Sequence, residues 1–112
     1  MHRIMFFVSA RGENLVLEFL KQLEKGLKAK VDGCIRYLEL YGDKARRPFA
    51  SPLRDKIYEL RISYKNLELR ILYFFDKNII MLTHAFFKKT DAVPAAEIAR
   101  AVGIREECFR TK

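Results

Sequence analysis

Cysteine is scarce in this chain: only Cys34 and Cys108 occur among its 112 residues. Two are too few for a disulfide framework, and neither sits beside a second cysteine or a histidine at zinc-site spacing. Both are expected as free thiols in a reducing cytoplasm. No apolar run reaches the roughly 18 residues of a membrane-spanning helix. The opening stretch Met1–Ala10 is apolar but short, has a single leading Arg3, and passes straight into Arg11, Gly12 and Glu13 without a small-residue cleavage pattern. It reads as an edge strand and not as an export signal. Internal repeats and low-complexity tracts are missing. So are a Walker loop, a GxSxG elbow, a paired-carboxylate constellation and any metal-ligand spacing. His2 and His84 lack the carboxylate neighbours that a metal pair would need. Any chemistry is therefore expected to need neither metal nor cofactor and to rest on cations.

Acidic residues are in deficit, 14 Asp and Glu against 22 Lys and Arg, for a net charge of +8. A small basic domain of this kind suits a nucleic acid or an acidic protein partner, or is simply well solvated. Half of the residues are hydrophobic. That is enough for a real core, and the length fits one domain over residues 1–112.

Ile4–Ser9 reads as a short strand, and Asn14 as a helix N-cap. Val16, Phe19, Leu20, Leu23 and Leu27 then form an apolar stripe at helical spacing, followed by a second stripe at Val31, Cys34, Ile35, Leu38 and Tyr41. Lys25–Gly26 is the expected joint, with Gly26 as a C-cap, giving an αα-hairpin. Gly42–Asp55 is expected as a loop, ended by Gly42 and kept irregular by Pro48 and Pro52. Three alternating runs follow. In Ile57–Tyr64, Glu59, Arg61 and Ser63 share the polar face. In Leu67–Phe75, Glu68, Arg70, Leu72 and Phe74 oppose Leu67, Leu69, Ile71, Tyr73 and Phe75. Ile79–Phe87 is apolar on both faces and thus central, with Ile80, Leu82, His84 and Phe86 expected on one face. Pro94 fits the first turn of a last helix, and Gly103 weakens its continuation to Phe109. The expected order is β-α-α-β-β-β-α, an α+β domain with an antiparallel meander.

The candidate chemistry sits on the three runs. Arg61 and Arg70 lie on adjacent strands, and a guanidinium there can fork two hydrogen bonds onto a phosphate. The competing use of each is cross-strand pairing with Glu59 or Glu68. Lys88, Lys89 and Thr90 end the third run, where an ammonium group can offset developing negative charge or exchange a proton, or be merely solvated. His84, inside an apolar strand, is a candidate for proton transfer against the commoner role of a packed core imidazole. Tyr58, Tyr64, Tyr73, Phe74, Phe86 and Phe87 interleave with these cations. Such rings can stack on unpaired bases but are more often core. RNA suits a cation-driven, metal-free site because its own 2′-OH is the nucleophile.

The ordered set Ile57-Tyr58-Glu59-Leu60-Arg61, Arg70-Ile71-Leu72-Tyr73-Phe74-Phe75, His84-Ala85-Phe86-Phe87-Lys88-Lys89-Thr90, then Pro94 and Glu97-Ile98-Ala99-Arg100-Ala101, resembles the HigB-like, phage-derived branch of the RelE/ParE toxin superfamily. The match covers the C-terminal two thirds. It implies a type II toxin–antitoxin toxin that cleaves mRNA, commonly on the translating ribosome. It also implies a cognate antitoxin, usually a helix-turn-helix DNA-binding protein. The fold it implies is a small antiparallel sheet with the helical hairpin on one side and the RNA surface on the other. Carried over, Arg61, Arg70, Lys88 and Lys89 match the basic motif positions, with His84 and Tyr73 as weaker candidates. Arg46, Arg47, Arg54 and Lys56 would grip RNA backbone. The C-terminal tyrosine of some RelE-like enzymes has no counterpart, since the tail offers Phe109 and Arg110. ParE-like relatives share the fold but inhibit DNA gyrase without cutting RNA. A degenerate, non-toxic domain that keeps only antitoxin or nucleic-acid binding is a further alternative.

Overall fold

A computed structural model describes residues 2–111. The elements run β1 (Arg3–Phe6), α1 (Leu15–Lys21), α2 (Lys25–Tyr41), a 3-10 turn at Gly42–Lys44, β2 (Ala50–Pro52), β3 (Tyr58–Tyr64), β4 (Leu67–Asp76), β5 (Ile79–Phe87) and α3 (Ala95–Arg110). The class is α+β, with three helices on a five-stranded sheet of order β1-β5-β4-β3-β2. The sheet is mixed and not wholly antiparallel, because β1 pairs in parallel with β5, Arg3 opposite Ile79 through Phe6 opposite Leu82. β2 to β5 form the antiparallel part.

The helical hairpin is present, with a different joint. Asn14 Oδ1 accepts from the Leu17 amide at 3.0 Å and caps α1, as a short polar side chain at this position does. The break falls before Lys25, and Gly26 lies within the first turn of α2. Gly26 is needed for close approach: a Cβ there would run into the Tyr64 hydroxyl, which donates to Glu24 Oε1 at 2.7 Å. Gly42 does end α2, at φ +52°, against the His2 ring.

Two departures shape the sheet. The expected loop contains β2, pairing Ala50, Ser51 and Pro52 with Leu60, Glu59 and Tyr58. Pro52 is tolerated because β2 is an edge strand, where a missing N–H leaves no ladder bond unmade. β5 carries a bulge: Leu72 faces His84 and Tyr73 faces Leu82, which leaves Thr83 as the extra residue. One extra residue inverts the alternation. Ile80 and Leu82 therefore pack under the hairpin with Leu60, Ile62, Leu69, Ile71 and Tyr73. Phe86 joins the opposite cluster of Ile57, Leu72, Phe74, Ile98 and Ala101 beneath α3. The four residues expected on one face of β5 are thus split between two. α3 runs through Gly103 to Arg110, with Pro94 as its N-cap residue just outside the first turn.

Among the described residues, no helix is long and apolar enough to cross a membrane.

Candidate nucleic-acid interface

Strand register decides which cations meet. Arg61 of β3 lies directly opposite Arg70 of β4, and Arg70 opposite Phe86 of β5. In the next row Glu59 faces Leu72 and Leu72 faces His84. On the other side Ser63 faces Glu68, whose carbonyl accepts from the Lys88 amide at 2.7 Å. Like charges opposite one another are destabilising unless compensated, and the compensation is Glu59. Its Oε1 accepts from Arg70 Nε at 3.1 Å and its Oε2 from Arg61 Nη1 at 3.3 Å. Ser51 Oγ of β2 also donates to Oε2. Arg70 Nη1 reaches Glu68 Oε1 and the Leu69 carbonyl, each at 3.1 Å.

Burial separates the two arginines. The Arg70 side chain is 2% exposed and Arg61 26%. Arg70 directs Nε and Nη1 to two carboxylates and a carbonyl inside the protein, so the pairing anticipated as the competing use is the one it makes. Arg61 keeps a route to solvent. Glu68 is held below the usual carboxylate range by the Ser63 hydroxyl, with Arg70 adding to the effect.

His84 is 1% exposed and is a packed core imidazole. Its Nε2 lies 3.0 Å from Glu97 Oε1 of α3, its Nδ1 3.0 Å from Thr83 Oγ1, and its ring stacks on Phe86. Burial pushes its pKa below the ordinary value, partly opposed by the Glu97 hydrogen bond and helped by the Arg100 charge. A carboxylate can only accept, so Nε2 of the neutral ring carries the proton, while the Thr83 hydroxyl beside Nδ1 donates to the Leu72 carbonyl at 3.0 Å. The pair fastens the start of α3 to the sheet.

The remaining candidates scatter. Tyr73, expected at RNA, is 1% exposed beneath the hairpin and stacks on Tyr58. Strict alternation puts it on the face opposite Arg70, and burial raises its hydroxyl pKa far above the ordinary value. It is a core residue out of reach of an external chain. Lys88 Nζ donates to the carbonyls of Thr90 and Asp91, at 2.6 and 3.1 Å, and ties down the turn into α3. Lys89 is exposed. Arg54 is exposed beside Asp55 at 3.5 Å. Lys56 borders a hollow with Tyr58, Phe74, Arg105 and Phe109, near the end of α3. These two cations stand away from the Arg61 row. Arg46 and Arg47 are exposed in the loop before β2, whose Phe49 carbonyl accepts from the Arg61 amide at 2.7 Å.

Sequence reasoning had treated Glu59 only as a possible partner for arginine and did not name Ser51 or Glu97 as site residues. Glu59 lay in plain view at a polar strand position, but its place as the buried centre of the network depends on β2, which supplies Ser51.

The family model that matches this chain is described as Phage derived protein Gp49-like (DUF891), over residues 18–105. The chain belongs to that family. It is a toxin-like family of the RelE/HigB type, and the match takes in α2, every strand from β2 to β5 and most of α3. Comparison with curated proteins finds no match. Membership in the Gp49-like family is consistent with a toxin of a toxin–antitoxin pair.

Proposed function

We propose that this Gp49-like chain is the toxin of a type II toxin–antitoxin pair, of the HigB-like branch. In this reading it is a metal-independent mRNA endoribonuclease that acts on the translating ribosome in the cytoplasm. The observation that carries the reading is the register of Arg61 with Arg70 on the sheet face away from the hairpin, in a chain of net charge +8. RNA supplies its own nucleophile, so orientation and charge stabilisation are what the protein must add. The 2′ oxygen bonds to phosphorus and the bond to the 5′ oxygen breaks, leaving a 2′,3′-cyclic phosphate and a 5′-hydroxyl end. Arg61 is the member that meets the phosphate, because it alone of the pair reaches solvent. Arg70 is a positioning residue: it holds Glu59, and Glu59 holds Arg61. Lys89 adds charge from the end of β5, and Arg46 and Arg47 hold the backbone further along.

The partner in this reading is a helix-turn-helix antitoxin whose acidic or amphipathic segment covers the basic face, as charge complementarity favours. Reversing the charge of Arg46 and Arg47 is expected to weaken that complex and flatten its salt dependence. Unchanged affinity and unchanged salt dependence would count against an acidic segment docking there.

One observation favours a second reading. Arg70 is buried and paired with Glu59 and Glu68, and His84 is sealed in the core. Groups so fully engaged suit a module that binds without cutting, either a DNA gyrase inhibitor or a non-toxic antitoxin-binding domain. Induced expression without a neighbouring antitoxin, with mRNA 5′ ends mapped, separates the three. New 5′-hydroxyl ends inside coding regions are expected. Growth arrest with intact mRNA and trapped gyrase–DNA complexes would favour the inhibitor, and unimpaired growth the non-toxic domain.

A further inference from the structure

β2 pairs with β3 as far as Leu60 and the Phe49 carbonyl takes the Arg61 amide, so beyond Arg61 no strand covers the edge of β3, where Lys30 Nζ of α2 donates to the Ser63 carbonyl. A hollow of about 190 Å³ lies at this open edge, lined by Lys30, Cys34, Pro48, Phe49, Arg61 and Ser63. It joins the Arg61 side of the sheet to one stripe of α2, on which Lys30, Cys34, Tyr37 and Tyr41 recur at helical spacing,. At its far end stands a cluster of three rings. Tyr37 packs against Tyr41 at 4.7 Å and against Phe49 at 4.8 Å between centroids. The outer two are open to solvent, Tyr41 53% and Phe49 43% exposed. Tyr37 is anchored from behind, its hydroxyl accepting from the Arg46 amide at 3.3 Å. Lys44, Arg46 and Arg47 are exposed on the connecting loop.

Exposed aromatic rings are costly in water unless something covers them, and these are ringed by cations. That pairing of flat apolar faces with positive charge is what single-stranded nucleic acid requires: the rings take bases and the cations take the backbone. A protein segment would cover the rings equally well, but the surrounding cations select an occupant with a negative charge at every repeat. The hollow also leads directly to Arg61.

We propose that Tyr41 and Phe49 form a stacking platform for an unpaired RNA base, held one step along the strand from the phosphate at Arg61. The strand rounds the open β3 edge from the sheet face to α2. This inference rests on the endoribonuclease reading and adds to it a subsite that the strand motifs do not contain.

The test measures binding of the purified protein to two non-cleavable 2′-O-methyl oligoribonucleotides, one with bases and one abasic throughout. A variant carrying both Tyr41→Ala and Phe49→Ala is expected to bind the base-bearing oligomer about tenfold or more less tightly. Its affinity for the abasic oligomer should be unchanged, and Phe49→Trp should restore the loss. Equal losses on both oligomers, or no loss on either, would overturn the platform. So would variants that keep RNA binding and lose only an antitoxin. If the aromatic variants are neutral while wild-type protein still yields Arg61-dependent mRNA ends, the platform alone fails. If wild-type protein binds neither oligomer and yields no ends, the endoribonuclease reading fails and takes the platform with it.

Discussion

The two faces of the sheet can be set side by side. Under the helical hairpin, Leu27, Val31 and Leu38 of α2 meet Leu60, Ile62, Leu69, Ile71 and Ile80, all essentially inaccessible and all aliphatic. On the other face lie the buried polar side chains Ser51, Glu59, Arg70 and His84, the first three bonded among the strands and the last tied to Glu97 of α3. Apolar burial alone specifies the first face, at roughly 25 cal/mol per Å² removed from water. The second must satisfy every donor and acceptor it buries, and among the described residues no buried side-chain nitrogen or oxygen lacks a partner. The hairpin face holds the fold, whereas the polar face holds a charge arrangement that the fold would not need for stability. A buried ion pair is weak evidence for stability, because desolvation offsets much of its attraction.

Breaking the polar face at its centre should cost most. Glu59→Ala leaves Arg70 buried with Glu68 alone, and is expected to lower unfolding free energy by about 3–5 kcal/mol in denaturant titration. Glu59→Leu combined with Arg70→Met should recover most of that, because apolar residues of similar volume often replace a buried pair without loss. A single Glu59→Ala within about 1 kcal/mol of wild type would contradict the network drawn here.

On the hairpin face, Leu38→Ala empties a fully buried site on α2. A loss of about 2–5 kcal/mol is expected from transfer and cavity terms together. Unlike the Glu59 change, it should slow the proposed RNA cleavage only as far as it unfolds the chain. Cleavage lost in fully folded Leu38→Ala protein would erase the distinction between the faces.

A smaller effect should appear with pH. The folded-state pKa of His84 lies below its ordinary 6.5, so below that value the unfolded chain binds a proton that the folded chain resists. Stability from this group is present above 6.5 and falls as pH drops toward the lowered folded value,. Glu97 and Arg100 of α3 and Thr83 of β5 face the ring, and His84→Gln keeps a hydrogen-bonding group there without the titration. Thermal melts of the two proteins across this range should diverge, wild type losing more on the acid side. Parallel curves would show that the imidazole does not titrate on unfolding.

Much of the architecture was legible. The alternation of Ile57–Tyr64 and Leu67–Phe75 gave both strands within a residue, because side chains on a half-polar strand must alternate. The apolar stripes gave both hairpin helices. What escaped depended on partners distant in sequence. Pro48 and Pro52 argue against a strand locally, and only the pairing of β2 with β3 shows Pro52 at an edge where its missing N–H does no harm,. The Thr83 bulge carries no local signature, yet it moved His84 to the α3 face and into contact with Glu97. Gly26 was read for conformational freedom, whereas its role is the space it leaves for Tyr64. At the site, sequence paired Arg61 with Arg70 correctly but could not say that one would be buried and the other exposed. Burial here depends on neighbouring strands, with Glu59 beside Arg70 and Phe86 opposite it.

The gentlest change separates the roles most clearly. Arg61 is paired with Glu59 at 3.3 Å but partly open to solvent, so Arg61→Ala should cost less than about 1 kcal/mol of stability. Melting temperature and mRNA 5′-end mapping should be measured on this variant beside wild type. The account predicts near-wild-type melting with the new 5′-hydroxyl ends gone. Cleavage that persists in folded Arg61→Ala protein would contradict it and remove the polar face from the chemistry.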